Sequence, residues 1–239
     1  MTTANSATPV RVHVNRVIYT WASLGAVLIV FAGFARSYYL KGIFGTPAIS
    51  FLVHLHGLVM TLWFVLFFVQ VRLIAIQRVA WHRRLGLFGG ALAVLVVGVG
   101  TVTAITAAAL GHSPGPPPLV FLTIPLGDMV TFGTLVSLGL AYRHRAGLHK
   151  RLLLLASLAT LTAAIARIPL AFIQHGQIPL FLALTDGCIL CCIGVDTAIH
   201  RRLSPAFGWG FLFVVSSQVF RLWLSGTPQW LHFATWLIS

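Results

Sequence analysis

His54 and His56 stand inside a run, 51–71, that is otherwise almost wholly apolar. Imidazole can ligate a transition metal, hold haem iron or pass a proton, and an ionisable side chain at membrane depth is costly enough to mark a functional site by default. Two other apolar runs carry carboxylates, Asp128 beside Gly127 and Asp186 beside Gly187, and the runs that follow them contain Arg167, Gln218 and Arg221. Histidine with carboxylate is the donor set of many transition-metal sites. His54, His56, Asp128 and Asp186 therefore form a candidate outer metal layer, with Fe, Cu, Mn or Zn as candidate ions. Arg167, Gln218 and Arg221 are candidate substrate-binding or charge-relay groups. Residues two apart on a helix point about 200° apart, so a regular helix offers one of the two histidines to a shared ion, and His56, next to Gly57, is favoured. The same residues admit a second reading, in which aspartates and arginines at matching depth neutralise one another as buried ion pairs and hold no ligand.

A second candidate layer lies in the basic turns. His82-Arg-Arg-Leu85, His149-Lys-Arg-Leu152 and His200-Arg-Arg-Leu203 share one pattern, and Asp196 precedes His200 by four residues, one helical turn. His82, His149, Asp196 and His200 could converge on a metal at the inner ends of the helices. Histidines and arginines bound to lipid phosphate are the alternative, with Asp196 paired to a neighbouring arginine. A b-type haem needs two axial histidines on facing helices. For His54 or His56 the partner would have to come from His112, His175 or His232, whereas the inner trio could supply a pair by itself.

The elements that must position these groups follow from composition. The 239 residues are 58% hydrophobic and 8% charged, with a mean hydropathy of +0.94, far from soluble domains. A spanning helix takes about 20 residues, so the chain has room for about seven spans and no separate soluble domain. The apolar runs place them near 16–35, 49–74, 85–110, 119–142, 151–173, 179–199 and 207–224. The fold class is thus all-α, a single seven-helix transmembrane domain over 1–239. Its polar N-terminal tail, 1–14, lacks the marks of a cleaved signal peptide, and its tail at 226–239, with Trp230 and Trp236, is expected to lie in the membrane interface. The repeated basic turn suggests one helix followed by three hairpins. It would bring His56, Asp128, Asp186 and Arg167 to one level, roughly 8 to 16 Å below the outer surface at ~1.5 Å per residue.

Orientation follows the cations. Arg11, Arg16, Arg72, Arg78, Arg83, Arg84, Arg143, Arg145, Lys150, Arg151, Arg201 and Arg202 fall on one side and Arg36 and Lys41 on the other. This bias puts the N-terminus in the cytoplasm and the C-terminus outside, in a multi-pass protein of the cell's inner (plasma) membrane. The formal charge of +13, with only three acids, is explained by anionic lipids at the cytoplasmic face and not by nucleic acid. Cys188, Cys191 and Cys192 sit in one apolar run and read as packing residues rather than a disulfide.

Several templates are missing: phosphate loops, Gly-x-Ser-x-Gly, His-Glu-x-x-His, the His-x-x-His-His boxes of membrane desaturases, and a lysine in the last span for retinal. His54-x-His-Gly57, Gln70, His82-Arg-Arg-Leu-Gly86 and His149-Lys-Arg-Leu resemble the pattern of a group of uncharacterised bacterial multi-pass membrane proteins, from the second span onward. That resemblance implies a fold and a choice of residues but no reaction. Three functions are consistent with these features. They are an oxidoreductase holding metal or haem, a proton- or ion-coupled transporter using the buried charges, and an accessory subunit of a membrane complex or homo-oligomer.

Overall fold

The computed structural model describes residues 9–239, with side chains from Arg16 onward, so most of the expected N-terminal tail lies outside the described residues. In hydrocarbon every backbone polar group must be satisfied within its own segment, and long apolar runs therefore become helices. Helix α1 (Pro9–Phe34) passes into a π-helical turn at Ala35–Tyr39. After a Gly- and Pro-containing stretch, α2 (Phe51–Ala75) starts on Ser50, whose hydroxyl accepts from the Val53 amide at 3.3 Å. Helix α3 (Val79–Ala109) ends before the Pro-rich turn, where Gly111 adopts φ 74°. The following elements are α4 (Pro118–Phe121), α5 (Thr123–Ala141), α6 (Ala146–Ala159), α7 (Thr162–Ile165) and α8 (Ala171–Gln174). Then come α9 (Ile178–His200), α10 (Pro205–Leu224) and α11 (Pro228–Ile238). Among the described residues seven spans are long and apolar enough to cross a membrane, counting α1 with its π turn, α4 with α5, and α6 with α7 as one each. The protein is an all-α, seven-span integral membrane bundle.

The bundle is built around α6 and α7. Their span, Ala146–Ile165, is 72% buried over its most apolar stretch, against 17% for α3. Helix α6 packs on α1, α5, α9 and α10, and α7 packs on α1 and α9. The sequence Leu152 to Ala159 is apolar on every side, the pattern of a helix surrounded by others, and Leu154, Leu155 and Ala156 are buried with Phe132, Ile189 and Phe207. Around this axis α2 packs on α1 and α3, and α3 on α5. The exposed large apolar side chains, among them Leu87, Phe88, Val94, Trp209 and Trp223, form the surface that lipid covers.

Three expectations are corrected. The fifth span is not continuous over 151–173: it begins earlier, at Ala146, and is over by Ile165. Hydroxyl groups near the break bond the local backbone, as Thr160 does to the Ser157 carbonyl at 2.9 Å, and Pro169 drives Ile168 away from helical geometry. The third span starts at Val79, ahead of Leu85, because the His-Arg-Arg segment lies in its first turns. His82 and His149 are consequently the fourth residues of α3 and α6, whereas His200 is the last residue of α9. The threefold repeat thus holds for two turns and fails at the third, where Pro205 sets the start of α10. The C-terminal tail, expected in the membrane interface, forms the helix α11, packed on α3 and α4. Its Trp230 is buried and donates from Nε1 to the Leu119 carbonyl at 2.8 Å, since a buried indole N–H needs an acceptor.

Candidate functional site

At the end of the bundle that carries the basic turns, Asp196 of α9 meets Arg151 of α6. Arg151 Nε reaches Oδ2 at 3.0 Å, and Nη2 reaches Oδ1 at 2.9 Å and Oδ2 at 2.7 Å. Tyr19 of α1 donates to Oδ1 at 3.3 Å. His200 lies one turn along α9, with Nδ1 2.7 Å from the Asp196 carbonyl and 3.5 Å from its carboxylate. All of the carboxylate's capacity is directed at protein groups, so the pairing of Asp196 with an arginine is realised and a metal-binding role for it is not supported. Tyr19 was not singled out in the sequence, where a lone phenol in an apolar helix carries no signal of its partner.

Beside this network, the His82 and His149 rings lie 6.3 Å apart, centre to centre, with an interplanar angle of 81°. His149 Nδ1 is 2.8 Å from the carbonyl of Gly139, one of the last carbonyls of α5, which have no partner within their own helix. A carbonyl only accepts, so His149 carries its proton on Nδ1 and leaves Nε2 with a lone pair. His82 is held by Gln70 of α2. With its oxygen accepting from the Gly86 amide at 3.0 Å, Gln70 donates to His82 Nδ1 at 2.6 Å and to the His82 carbonyl at 3.1 Å. Turned over, the same amide would accept from an Nδ1 proton and free Nε2 of His82. Each ring is thus fixed through Nδ1 by a group outside the pair.

Toward the opposite end, α10 organises a second polar layer. Arg221 is buried, and its Nη1 donates to Asp128 Oδ1 at 2.5 Å and to the Ile124 carbonyl at 2.9 Å. Its Nε donates to the Ser217 carbonyl at 3.2 Å. Gly127 is required here, because a Cβ at that position would occupy the space of the Arg221 methylene stem. One turn back, Gln218 donates to Asp186 Oδ1 at 2.9 Å, and Ser217 and Thr131 share a hydrogen bond at 3.0 Å. Asp128, Asp186, Gln218 and Arg221 thus do come together, as ion pair and hydrogen bonds.

The histidines of α2 stand elsewhere. His54 is exposed, 5.8 Å from the Tyr38 ring, and its carbonyl accepts from the Tyr38 hydroxyl at 3.1 Å. Tyr38 crosses over Gly57, where a Cβ would strike its ring. His56 is half-buried, on the face of α2 within electrostatic reach of Arg167. Arg167 itself lies past the end of α7, exposed, with its guanidinium 5.1 Å from the centre of the Phe34 ring and Nη1 on the Ala163 carbonyl at 2.8 Å. Among the described residues no hydrogen bond or ion pair joins these three to the α10 layer, so the polar groups form two sets, one centred on α10 and one between α1 and α2.

Among the described residues, no three His, Cys, Asp or Glu side chains come together in a way that could hold a metal ion. Each carboxylate is engaged by an arginine or an amide, and among the described residues two imidazoles, His82 and His149, are in ring contact at the basic end. Comparison of the chain with protein-family models, with curated proteins and with solved structures finds no match in any of the three.

Proposed function

We propose that the protein is a membrane-embedded b-type haem protein with His82 and His149 as its axial ligands. The observation that supports this reading is the imidazole pair itself, 6.3 Å between ring centres and nearly perpendicular. Two imidazoles on opposite faces of one iron, each with an iron–nitrogen bond of about 2 Å, have ring centres roughly 6 Å apart. His149 is anchored through Nδ1, which leaves its Nε2 for a metal, and His82 is met at Nδ1 by the Gln70 amide, which frees Nε2 of His82 once it turns over to accept an Nδ1 proton. Haem is favoured over a free ion because the porphyrin brings four nitrogens of its own. A protein-bound ion calls for three or four protein donors, which are not assembled among the described residues. A haem held by His82 and His149 would supply electron transfer. The basic end then faces the cytoplasm across the inner membrane.

The test is the visible spectrum and pyridine haemochrome of protein purified in detergent from cells supplied with haem. A Soret band is expected in the wild type and in His56→Ala, and its loss in His82→Ala and in His149→Ala. A colourless wild type that also fails to take up added haemin would sink the proposal. Stoichiometric copper or zinc without a Soret band would replace haem with a metal ion at the pair.

A second reading, proton- or ion-coupled transport, is favoured by one observation. The hydrogen-bond partner of Asp186 is an amide rather than a cation, so its charge is the least compensated of the three acids and the freest to change. Proteoliposomes in which Asp186→Asn leaves proton flux unchanged would remove it.

A further inference from the structure

We infer that the basic end holds a pocket for a phosphate-bearing anion, either the headgroup of an acidic phospholipid or a soluble phosphate. A cavity of about 640 Å³ opens between the first turns of α6, the end of α9 and the start of α10, lined by Gly147, Lys150, Arg151, His200, Arg202 and Ser204. That volume is in the range of pockets for small ligands. Lys150, Arg151 and Arg202 bring three cations to the lining, and no carboxylate lines the cavity. Asp196, the nearest acid in the network, is turned to Arg151 and Tyr19. Lys150 places its ammonium 4.3 Å from the centre of the Tyr19 ring, a cation–π contact that holds the charge at the wall without neutralising it. Neither Lys150 nor Arg202 pairs with any of the three aspartates.

Arg151 has a different role. Its guanidinium lines the pocket, yet Nε and Nη2 are spent on Asp196 and Nη1 donates to the Gly147 carbonyl at 2.9 Å. It makes one rigid wall, while Lys150 and Arg202 supply cations that no salt bridge takes up. The Ser204 hydroxyl makes no cap bond to α10 and can donate to a phosphate oxygen. Cations beside hydroxyl donors in a partly enclosed space are suited to phosphate, whose oxygens accept charge-assisted hydrogen bonds. The pocket is separate from the His82 and His149 pair and stands whether or not that pair binds haem.

The experiment measures the Tm of the detergent-purified full chain at rising phosphatidylglycerol, phosphatidylcholine and inorganic phosphate. It compares the wild type with Lys150→Gln, Arg202→Gln and, as a basic-turn control outside the pocket, Arg83→Gln. A lipid source predicts a rise in Tm with phosphatidylglycerol but not phosphatidylcholine. The half-saturating concentration should increase about fivefold in each pocket variant, the worth of one cation near an anionic surface, and stay unchanged in Arg83→Gln. A soluble source predicts the same pattern with inorganic phosphate alone. Equal responses to the two lipids with none to phosphate would overturn the inference. So would an Arg83→Gln loss as large as that of Arg202→Gln, which would mean diffuse surface attraction.

Discussion

Arg151 grips both carboxylate oxygens of Asp196, with Nη2 2.7 Å from Oδ2, while the two side chains retain only 10% and 2% of their exposure. The pair ties the central helix α6 to α9, and the Tyr19 hydroxyl extends the tie to α1. Breaking a buried pair by removing one partner leaves an uncompensated charge, at a cost of about 3–5 kcal/mol, whereas replacing both partners with apolar groups is often close to neutral. Arg151→Met should therefore lower unfolding stability in mixed micelles by about that amount. Arg151→Met with Asp196→Leu should recover most of it. Equal losses in the single and double variants would show that the network is not coupled in this way.

Gln70 positions His82 from a different helix, through contacts of 2.6 Å to Nδ1 and 3.1 Å to the carbonyl. Groups that orient a metal-ligating histidine typically account for 10–100-fold in affinity, about 1–3 kcal/mol. Gln70→Leu should weaken haem binding by about that factor and leave protein yield near wild type, while Gln70→Glu, which offers an acceptor for an Nδ1 proton where the amide donates, should retain more of it. The check is titration of apo protein with haemin, read at the Soret band.

Gly127 lets the Arg221 stem pass against α5, so that the guanidinium reaches Asp128 and the Ile124 carbonyl together. Because Arg221 is pinned at both acceptors, it cannot swing away from a new methyl group. Gly127→Ala should destabilise the bundle by about 1–3 kcal/mol, the range for overpacking. Gly25→Ala, where a Cβ would meet nothing within 4 Å, should cost little or even stabilise, as expected for alanine in a helix. Thermal unfolding of the two variants side by side gives the comparison.

The seven spans were legible because hydrocarbon leaves the backbone no alternative to helix, so length and hydropathy alone define them. Asp128, Asp186, Gln218 and Arg221 were legible as a group because their places along long helices fix their depth. What a helical rise cannot encode is which face each helix turns to its neighbours, and so His56 could not be separated from the α10 layer in advance. Nor could the early end of the fifth span be read from hydropathy, since residues 160–173 remain largely apolar and the break depends on Thr160, Thr162 and Pro169 acting on the local backbone. The pairing of His82 with His149 was half visible, in the shared basic turn, but the same pattern included His200, which the structure places at a helix end facing Asp196.

Arg167 and Arg221 look alike in the sequence, each an arginine inside an apolar run, yet the structure gives them opposite surroundings. Arg221 is 5% exposed and bonded to a carboxylate and two carbonyls, whereas Arg167 is exposed, stacked on Phe34 and bonded to the Ala163 carbonyl alone. Removing the first strands Asp128 in the bundle interior. Removing the second gives up a cation–π contact worth about 0.5–1 kcal/mol at an exposed site. Arg221→Gln should accordingly cost about 3 kcal/mol or more in unfolding stability, and Arg167→Gln less than about 1 kcal/mol. Matching losses would return Arg167 to the bundle interior and restore the single outer layer that the division of the polar groups argues against.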